Sequence, residues 1–217
     1  MTEKQLRKEM VALGASLFNR GFSSGSGGNM SVKLPDGSIL TTPTNSSMGR
    51  LDSEQLSKLS AGGELLSGAP PSKEHLFHLK IYDVRPDCGA VVHLHSTYAV
   101  GLSCCQNLNA ADVLPPLTPY YMMKVAPLPL VSYYKPGSRE LVEAVTDMAR
   151  IAKCFLLANH GPVVTGKTLL EAVDIAEELE ETAKLYFLLQ GNTARMRTLT
   201  DKQVQELAIR AIDKERL

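Results

Sequence analysis

Apolar residues recur every three or four positions in several stretches of the chain, which is the spacing of amphipathic helices. The first such stripe precedes Gly21, a residue type that commonly ends helices, and comprises Leu6, Met10, Leu13 and Leu17. A second stripe follows Ser138, a suitable N-cap, and comprises Leu141, Val145, Met148 and Ala152. Both patterns predict helices that pack one side against a core.

Capping signals predict further helices. A capping box at Thr168–Glu171 begins the longest helix, which we expect to end at Gly191. The same device at Thr200 and Gln203 begins a last helix. Shorter helices are predicted from Asp52, over Ser96–Ser103, and from the cap Ser72 through Glu74, His78 and Tyr82.

Short apolar runs between turn signals predict strands. Ser31–Leu34 and Ser38–Thr42 indicate a hairpin across Pro35-Asp36-Gly37, and buried strands are predicted at Gly89–Leu94, Cys154–Ala158 and Pro162–Thr165. Six prolines between Leu114 and Pro136 indicate ordered loop and edge strand. Strands interspersed with helices predict a layered α/β fold, and we expect one domain over residues 1–217.

Charge and composition narrow the class of partner. Lys and Arg total 23, as do Asp and Glu, so nothing suggests a nucleic-acid or anionic-membrane partner. No apolar run approaches the roughly 18–20 residues of a membrane span, and the charged N-terminus has no signal segment. The four cysteines have no CxxC spacing and are expected to be reduced thiols. We therefore expect a cytoplasmic protein, and the neutral charge balance favours self-association.

Three histidines form a candidate metal site. His93 and His95 lie two positions apart on a predicted strand, so their side chains face the same side about 6.6 Å apart. Two such rings can converge on one ion held about 2.0–2.1 Å from each nitrogen. His160 follows another strand in the turn Asn159–Gly161, and three histidines leave zinc an open position for substrate. The alternative is a buried, hydrogen-bonded pair with a separate turn histidine.

Glu74 and two loops supply further polar groups. Glu74 is placed where the free N–H groups of a helix would stabilise a carboxylate, although it could also be an ordinary first-turn charge or pair with His78. The loops Ser26-Gly27-Gly28-Asn29 and Thr42-Pro43-Thr44-Asn45-Ser46-Ser47 are rich in small donors that suit a phosphate. As isolated segments, both loops could equally be structural turns.

Five motifs together resemble the class II aldolase/adducin family. In chain order they are Gly28-Asn29-Met30-Ser31, Thr42-Pro43-Thr44, Pro71-Ser72-Lys73-Glu74, His93-Leu94-His95 and Asn159-His160-Gly161. The resemblance runs from about residue 3 to residue 190. It implies a three-layer α/β/α fold with a mixed central sheet, and commonly a homotetramer whose active sites lie between subunits.

The resemblance also implies roles for particular residues. It implies Zn²⁺ on His93, His95 and His160, with Glu74 as the acid/base. It implies that Tyr120 or Tyr121 donates a proton across a subunit boundary. It implies that Asn29, Thr44, Asn45 and Ser72 hold the substrate phosphate. The loop glycine Gly28 and the cation Lys73 belong to the same expected phosphate site. Mn²⁺ or Co²⁺ could replace zinc at such ligands.

Two departures from the aldolase pattern refine the expected reaction. Lys73 stands where aldolases of the family have serine, and Asn45 stands where they have glycine. This combination is similar to the branch that decarboxylates 3-oxo-tetronate 4-phosphate to dihydroxyacetone phosphate through a metal-stabilised enediolate. The alternatives are a fuculose-phosphate-type aldolase, a ribulose-phosphate 4-epimerase, or a metal-free module like the adducin head. The last would make the metal ligands dispensable.

Overall fold

An eight-stranded mixed sheet forms the centre of the computed structural model, which describes residues 1–190 and 196–207. Its strands are β1 Asn29–Lys33, β2 Ile39–Thr41, β3 Ser57–Leu59, β4 Leu65–Ser67, β5 Ala90–His93, β6 Leu130–Val131, β7 Cys154–Leu157 and β8 Gly161–Gly166. Their spatial order is β4-β3-β2-β1-β5-β8-β7-β6. Neighbours are antiparallel except β6 and β7, which are parallel.

Helices cover both faces of this sheet. They are α1 Glu3–Asn19, α2 His75–Val84, α3 Thr97–Ser103, α4 Pro119–Lys124, α5 Arg139–Ala149 and α6 Leu169–Gln190. Alternate strand residues point to opposite faces, so Val92 packs in the core under α1, α3, α4 and α6, whereas Val91 packs under α2 and α5. The predicted three-layer α/β/α fold is confirmed.

Several of the predicted helix signals are present. The Ser138 and Thr168 hydroxyls accept N–H bonds from Leu141 and Glu171 at 3.2 and 3.1 Å. Thr200 and Gln203 form both bonds of a capping box, and residues 201–207 are helical. The predicted helix end at Gly191 lies outside the described residues. Among the described residues, no helix is both long and apolar enough to cross a membrane.

Three local predictions are wrong. Asp52 starts only a turn, because its carboxylate accepts the N–H of Glu54 two residues on, an arrangement that competes with a helix. Ser72 is not the cap of α2, whose N-cap is Glu74. The proline-rich stretch contains the predicted edge strand, β6, but also the unpredicted helix α4, because Pro119 occupies the first helical turn and Thr118 caps it.

Candidate metal centre and its cavity

Two neighbouring strands bring the three histidines together. Strand β5 ends at His93, and β8, paired beside it, begins directly after His160. Gly161 lies at φ 148°, and a side chain there would come within 2.4 Å of the Leu94 carbonyl oxygen. Glycine therefore permits the close approach that brings the Asn159–Gly161 turn against the end of β5. His95 lies beyond the strand end, yet its ring still turns towards the other two.

The four candidate ligands converge closely. Nε2 of His93 lies 3.1 Å from Nε2 of His95 and 3.3 Å from Nε2 of His160. The Glu74 carboxylate lies 3.4 Å from the His93 ring and 3.2 Å from the His160 ring. The ligand atoms of all four residues lie within 4.8 Å of one another. Three imidazoles and a carboxylate are the donor set of divalent transition metals such as zinc.

Hydrogen bonding prepares His93 to be a ligand. Its Nδ1 lies 2.8 Å from the Pro162 carbonyl oxygen, which can only accept, so Nδ1 carries the proton. The lone pair of Nε2 then faces the cluster, as a metal ligand requires. Burial, together with the neighbouring His160 and His95 rings, lowers the pKa of His93 to about 4, against the opposing effect of Glu74. Burial also lowers the pKa of His95, with His160 adding to the effect. Both rings are therefore neutral near pH 7.

Glu74 faces this cluster and does not cap its own helix. Its side chain makes no capping bond, contrary to the expectation that the first turn of α2 would stabilise it. Instead its Oε2 accepts a 2.7 Å hydrogen bond from Nδ2 of Asn29. Burial raises the pKa of the Glu74 carboxyl, but His93, His160 and the Asn29 bond outweigh it and hold that pKa below its usual range. The carboxylate is therefore ionised.

A cavity of about 350 Å³ opens beside the cluster. Its wall contains Glu74, His95 and His160 together with all the predicted phosphate residues, namely Gly28, Asn29, Thr44, Asn45, Ser72 and Lys73. The loop Thr42–Ser47 is joined to the segment that carries Ser72 by hydrogen bonds from Thr44 N–H to the Pro70 carbonyl and from Ser72 N–H to the Thr42 carbonyl. Residues far apart in sequence therefore share one wall.

Two residues show how the backbone shapes that wall. Asn45 adopts φ 56°, the left-handed region that glycine and asparagine tolerate best. Asparagine therefore fits this backbone, and its amide lines the cavity. Gly28, at φ 81°, has no room for a side chain, because a Cβ would lie 2.7 Å from the His93 carbonyl oxygen.

The two candidate tyrosines are in different surroundings, and neither lines the cavity. Tyr121 is fully buried and donates a 3.2 Å hydrogen bond to Asp112. Burial, with Asp112, raises its pKa above the usual value. Tyr120 is 61% exposed, at the start of α4. Of these two tyrosines, Tyr120 is therefore the one whose side chain is exposed in a single copy of the chain.

Sequence reasoning missed some contributors to the site. Pro136 and Gly137 complete the cavity wall, although the sequence indicates only a loop there. The Pro162 carbonyl that orients His93 is a backbone group without a residue-type signal. The contact between Asn29 and Glu74 joins residues 45 positions apart, so no local pattern could reveal it.

Comparisons with known proteins agree with this geometry. Residues 8–187 match the family model of the class II aldolase and adducin N-terminal domain. A curated relative from Pectobacterium atrosepticum, a 3-oxo-tetronate 4-phosphate decarboxylase, is 53% identical over 95% of this chain and 94% of its own length. A protein of the same name from Haemophilus influenzae is 51% identical over 95% of this chain and 98% of its own length.

A solved structure supports the same assignment. YgbL from Escherichia coli, described as an aldolase, epimerase or decarboxylase, superposes with a TM-score of 0.91 at 49% identity. The match covers 94% of this chain and 98% of that one. The chain therefore belongs to the class II aldolase and adducin N-terminal domain family.

Proposed function

We propose that this protein is a metal-dependent carbon–carbon lyase that decarboxylates 3-oxo-tetronate 4-phosphate to dihydroxyacetone phosphate and CO₂. The observation that carries the proposal is one cavity with a histidine and carboxylate cluster beside loops rich in small donors and a lysine. Relatives named for this activity, at 51–53% identity over 95% of the chain, support it.

His93, His95 and His160 would hold Zn²⁺, with Mn²⁺ or Co²⁺ as possible replacements, and Glu74 is close enough to approach the same ion. When bound, the ion supplies a Lewis acid that stabilises negative charge developing on the substrate oxygens. The Pro162 carbonyl fixes the His93 ring in the tautomer that leaves Nε2 free. Asn29 similarly holds the Glu74 carboxylate in one orientation.

The phosphate of the substrate would lie against the two loops. Gly28 allows close approach of the backbone, while Thr44, Asn45, Ser72 and Asn29 offer polar groups around it. The Ser72 oxygen accepts the N–H of Glu74 at 3.3 Å, which leaves its own O–H as a donor to the cavity. Lys73 adds a positive charge that would pair with the phosphate.

The reaction breaks the bond between C1 and C2 of the substrate. Its electron pair passes towards the C3 carbonyl and leaves an enediolate, and a proton delivered to C2 gives dihydroxyacetone phosphate. Because Glu74 is ionised, it would accept the proton of the C2 hydroxyl as the enediolate forms and return it to that oxygen when C2 is protonated. We assign delivery of the proton to Tyr120 of a neighbouring subunit, since Tyr121 is buried against Asp112.

This assignment requires an oligomer. We propose a cytoplasmic homotetramer of single-domain subunits in which each cavity is completed by a neighbour. No nucleic acid or membrane partner is proposed. Besides the metal ion and a neighbouring copy of the chain, the small phosphorylated sugar acid is the partner that the chemistry requires.

Turnover of 3-oxo-tetronate 4-phosphate by the purified protein tests the proposal. We expect CO₂ release that stops on chelation and returns with added Zn²⁺. His95→Ala should abolish turnover without unfolding the chain, since His95 is an exposed ligand and its removal leaves no internal cavity. The competing function is a sugar-phosphate aldolase or 4-epimerase, which the description of the E. coli relative leaves open. Without CO₂ release from the oxo acid, aldehyde release from L-fuculose 1-phosphate would favour the aldolase, and interconversion of pentulose phosphates would favour the epimerase.

A further inference from the structure

A trio of buried polar side chains lies behind the metal centre and is not used by the proposed chemistry. Ser31 is fully buried, His78 is 1% exposed and Tyr82 is 5% exposed. The Ser31 hydroxyl lies 2.7 Å from Nδ1 of His78 and 2.8 Å from the Tyr82 hydroxyl. A network of this kind is unusual in a core that could be filled by apolar groups.

The hydrogen bonds of the trio join helix α2 to strand β1. His78 and Tyr82 are one helical turn apart on α2, and both contact a single serine of β1. Asn29, two residues before Ser31 on the same face of β1, holds Glu74 at the start of α2. Hydrogen bonds therefore link helix α2 to strand β1 at two positions along the helix, once at the metal centre and once behind it.

Strand pairing connects both attachment points to β5. Asn29 pairs with His93, and Ser31 pairs with Val91. Aromatic contacts add a second connection, because Phe77 stacks on His78 at 4.8 Å and meets the His93 ring edge-on at 5.7 Å. A shift or rotation of α2 would therefore move both Glu74 and the surroundings of His93.

The trio is not an optimal arrangement for stability alone. Within the described residues, Nε2 of His78 has no hydrogen-bond partner although it is buried. Burial, with the charge of His93 adding to it, lowers the pKa of His78 to about 3, so the ring is neutral and carries one proton. If Tyr82 donates to Ser31 and Ser31 donates to Nδ1, that proton sits unpaired on Nε2. An apolar side chain would avoid this unpaired group, so stability alone does not explain the histidine.

We propose that Ser31, His78 and Tyr82 are positioning residues that fix the height and rotation of α2 and so aim the Glu74 carboxylate at the histidine cluster. Apolar packing between α2 and the sheet is non-directional and tolerates small shifts, whereas hydrogen bonds to a single serine do not. Misplacement of a reacting group by about 1 Å can cost about 100-fold in rate. The effect on turnover rests on the proposed function, but the effect on metal geometry does not.

Ser31→Ala and Tyr82→Phe test the proposal with little change in volume. We expect each to lower kcat about 10-fold or more while KM changes little. The melting temperature should also fall by several degrees, because buried polar groups lose a hydrogen-bond partner. His78→Asn, whose amide can occupy the place of Nδ1, should retain more activity than His78→Leu. Ser57→Ala is the matched control, because Ser57 is also fully buried and bonds to the Ala69 carbonyl, but on β3 away from the site. It should leave kcat unchanged.

Two readouts separate positioning from general destabilisation. In a Glu74→Gln background, Ser31→Ala should lower kcat no further, because the trio acts through Glu74. Independently of turnover, the visible absorption of the Co²⁺-loaded protein should change in Ser31→Ala and Tyr82→Phe but not in Ser57→Ala, since it reports ligand geometry. If wild-type protein lacks decarboxylase activity, the proposed function fails, while the cobalt spectra still decide the positioning role. The positioning role would be overturned if Ser31→Ala and Tyr82→Phe gave the same cobalt spectrum as the wild type, or if their kcat values stayed within about twofold of wild type. Additive effects of Ser31→Ala and Glu74→Gln would overturn it as well.

Discussion

Lys73 is the one lysine or arginine among the described residues that line the cavity. It lines the cavity beside Ser72 and Glu74, where its charge can meet the phosphate of the substrate. Lys73→Ala should raise KM about 10-fold or more, because a charge-assisted hydrogen bond is lost, and should change kcat less. Steady-state kinetics measure both. Lys80→Ala, which removes an exposed lysine of α2 paired with Asp83, is the control. Normal KM with complete loss of kcat would contradict the phosphate role.

Substitutions of Asn45 test whether its backbone conformation or its side-chain amide matters in the wall of the cavity. Its φ of 56° suits glycine and asparagine, whereas alanine pays about 1 kcal/mol or more in that region. Asn45→Ala should therefore be less stable than Asn45→Gly by about 1 kcal/mol in urea unfolding. Both variants lack the amide, so both should show the same rise in KM. Equal stability of the two variants would mean that the loop does not keep its left-handed backbone.

At the residue scale, the sequence predicted which side chains come together better than it predicted which hydrogen bonds they form. The converging histidines could be predicted because their spacing on strands and turns limits where the rings can point. The partner of Glu74 could not, because Asn29 reaches it from a different strand and the helix start offered a plausible local partner. The hydrogen bond from Asn29 takes the place of the interaction with the helix start that the sequence favours for Glu74.

At the scale of elements, strong local signals were reliable and weak ones were not. The stripe and cap of α5 predicted its position, since Ser138 caps it as expected. Helix α4 was missed because six neighbouring prolines indicate loop, although one at the first helical turn is compatible with a helix. The turn at Asp52 was mistaken for a helix because aspartate favours both helix starts and turns.

Helix α3 follows the histidine motif directly and depends on a distant carboxylate. Glu180 of α6 is 5% exposed and accepts the N–H groups of Tyr98 and Ala99, each at 2.8 Å. Glu180→Ala should destabilise the fold by about 3 kcal/mol, because one buried and one partly buried donor lose a charged acceptor. Urea unfolding measures the loss. Glu177→Ala, an acid of the same helix that pairs with Arg20 near the surface, should cost less than about 1 kcal/mol. Similar losses in the two variants would argue against a structural cap at α3.

At the scale of the whole molecule, the candidate metal centre shares its side of the sheet with the smaller of two apolar cores. The sheet packs its larger apolar core against α1, α3, α4 and α6, while the metal centre lies on the α2 side, where β1, β5 and β8 meet. The layered α/β class followed from the order of elements, but the strand order did not, because β5 lies between β1 and β8 through pairings distant in sequence. The polar groups of the centre are therefore gathered on one side of a sheet whose opposite face is apolar.

This arrangement predicts how the molecule responds to acid. The pKa of His78 falls from 6.5 to about 3 on burial, so between these values the unfolded chain binds a proton that the folded chain excludes. Its contribution to stability is therefore complete above pH 6.5 and is lost as the pH falls towards 3, at about 1.4 kcal/mol per pKa unit. Urea unfolding at a series of pH values should give a shallower loss of stability for His78→Leu than for wild type. His93, Glu74 and His75 interact electrostatically with His78, so the difference between the two proteins reports His78 together with its coupling to these groups. Parallel curves would mean that the His78 ring is protonated in the fold, which would also remove the neutral imidazole from the trio behind the metal centre.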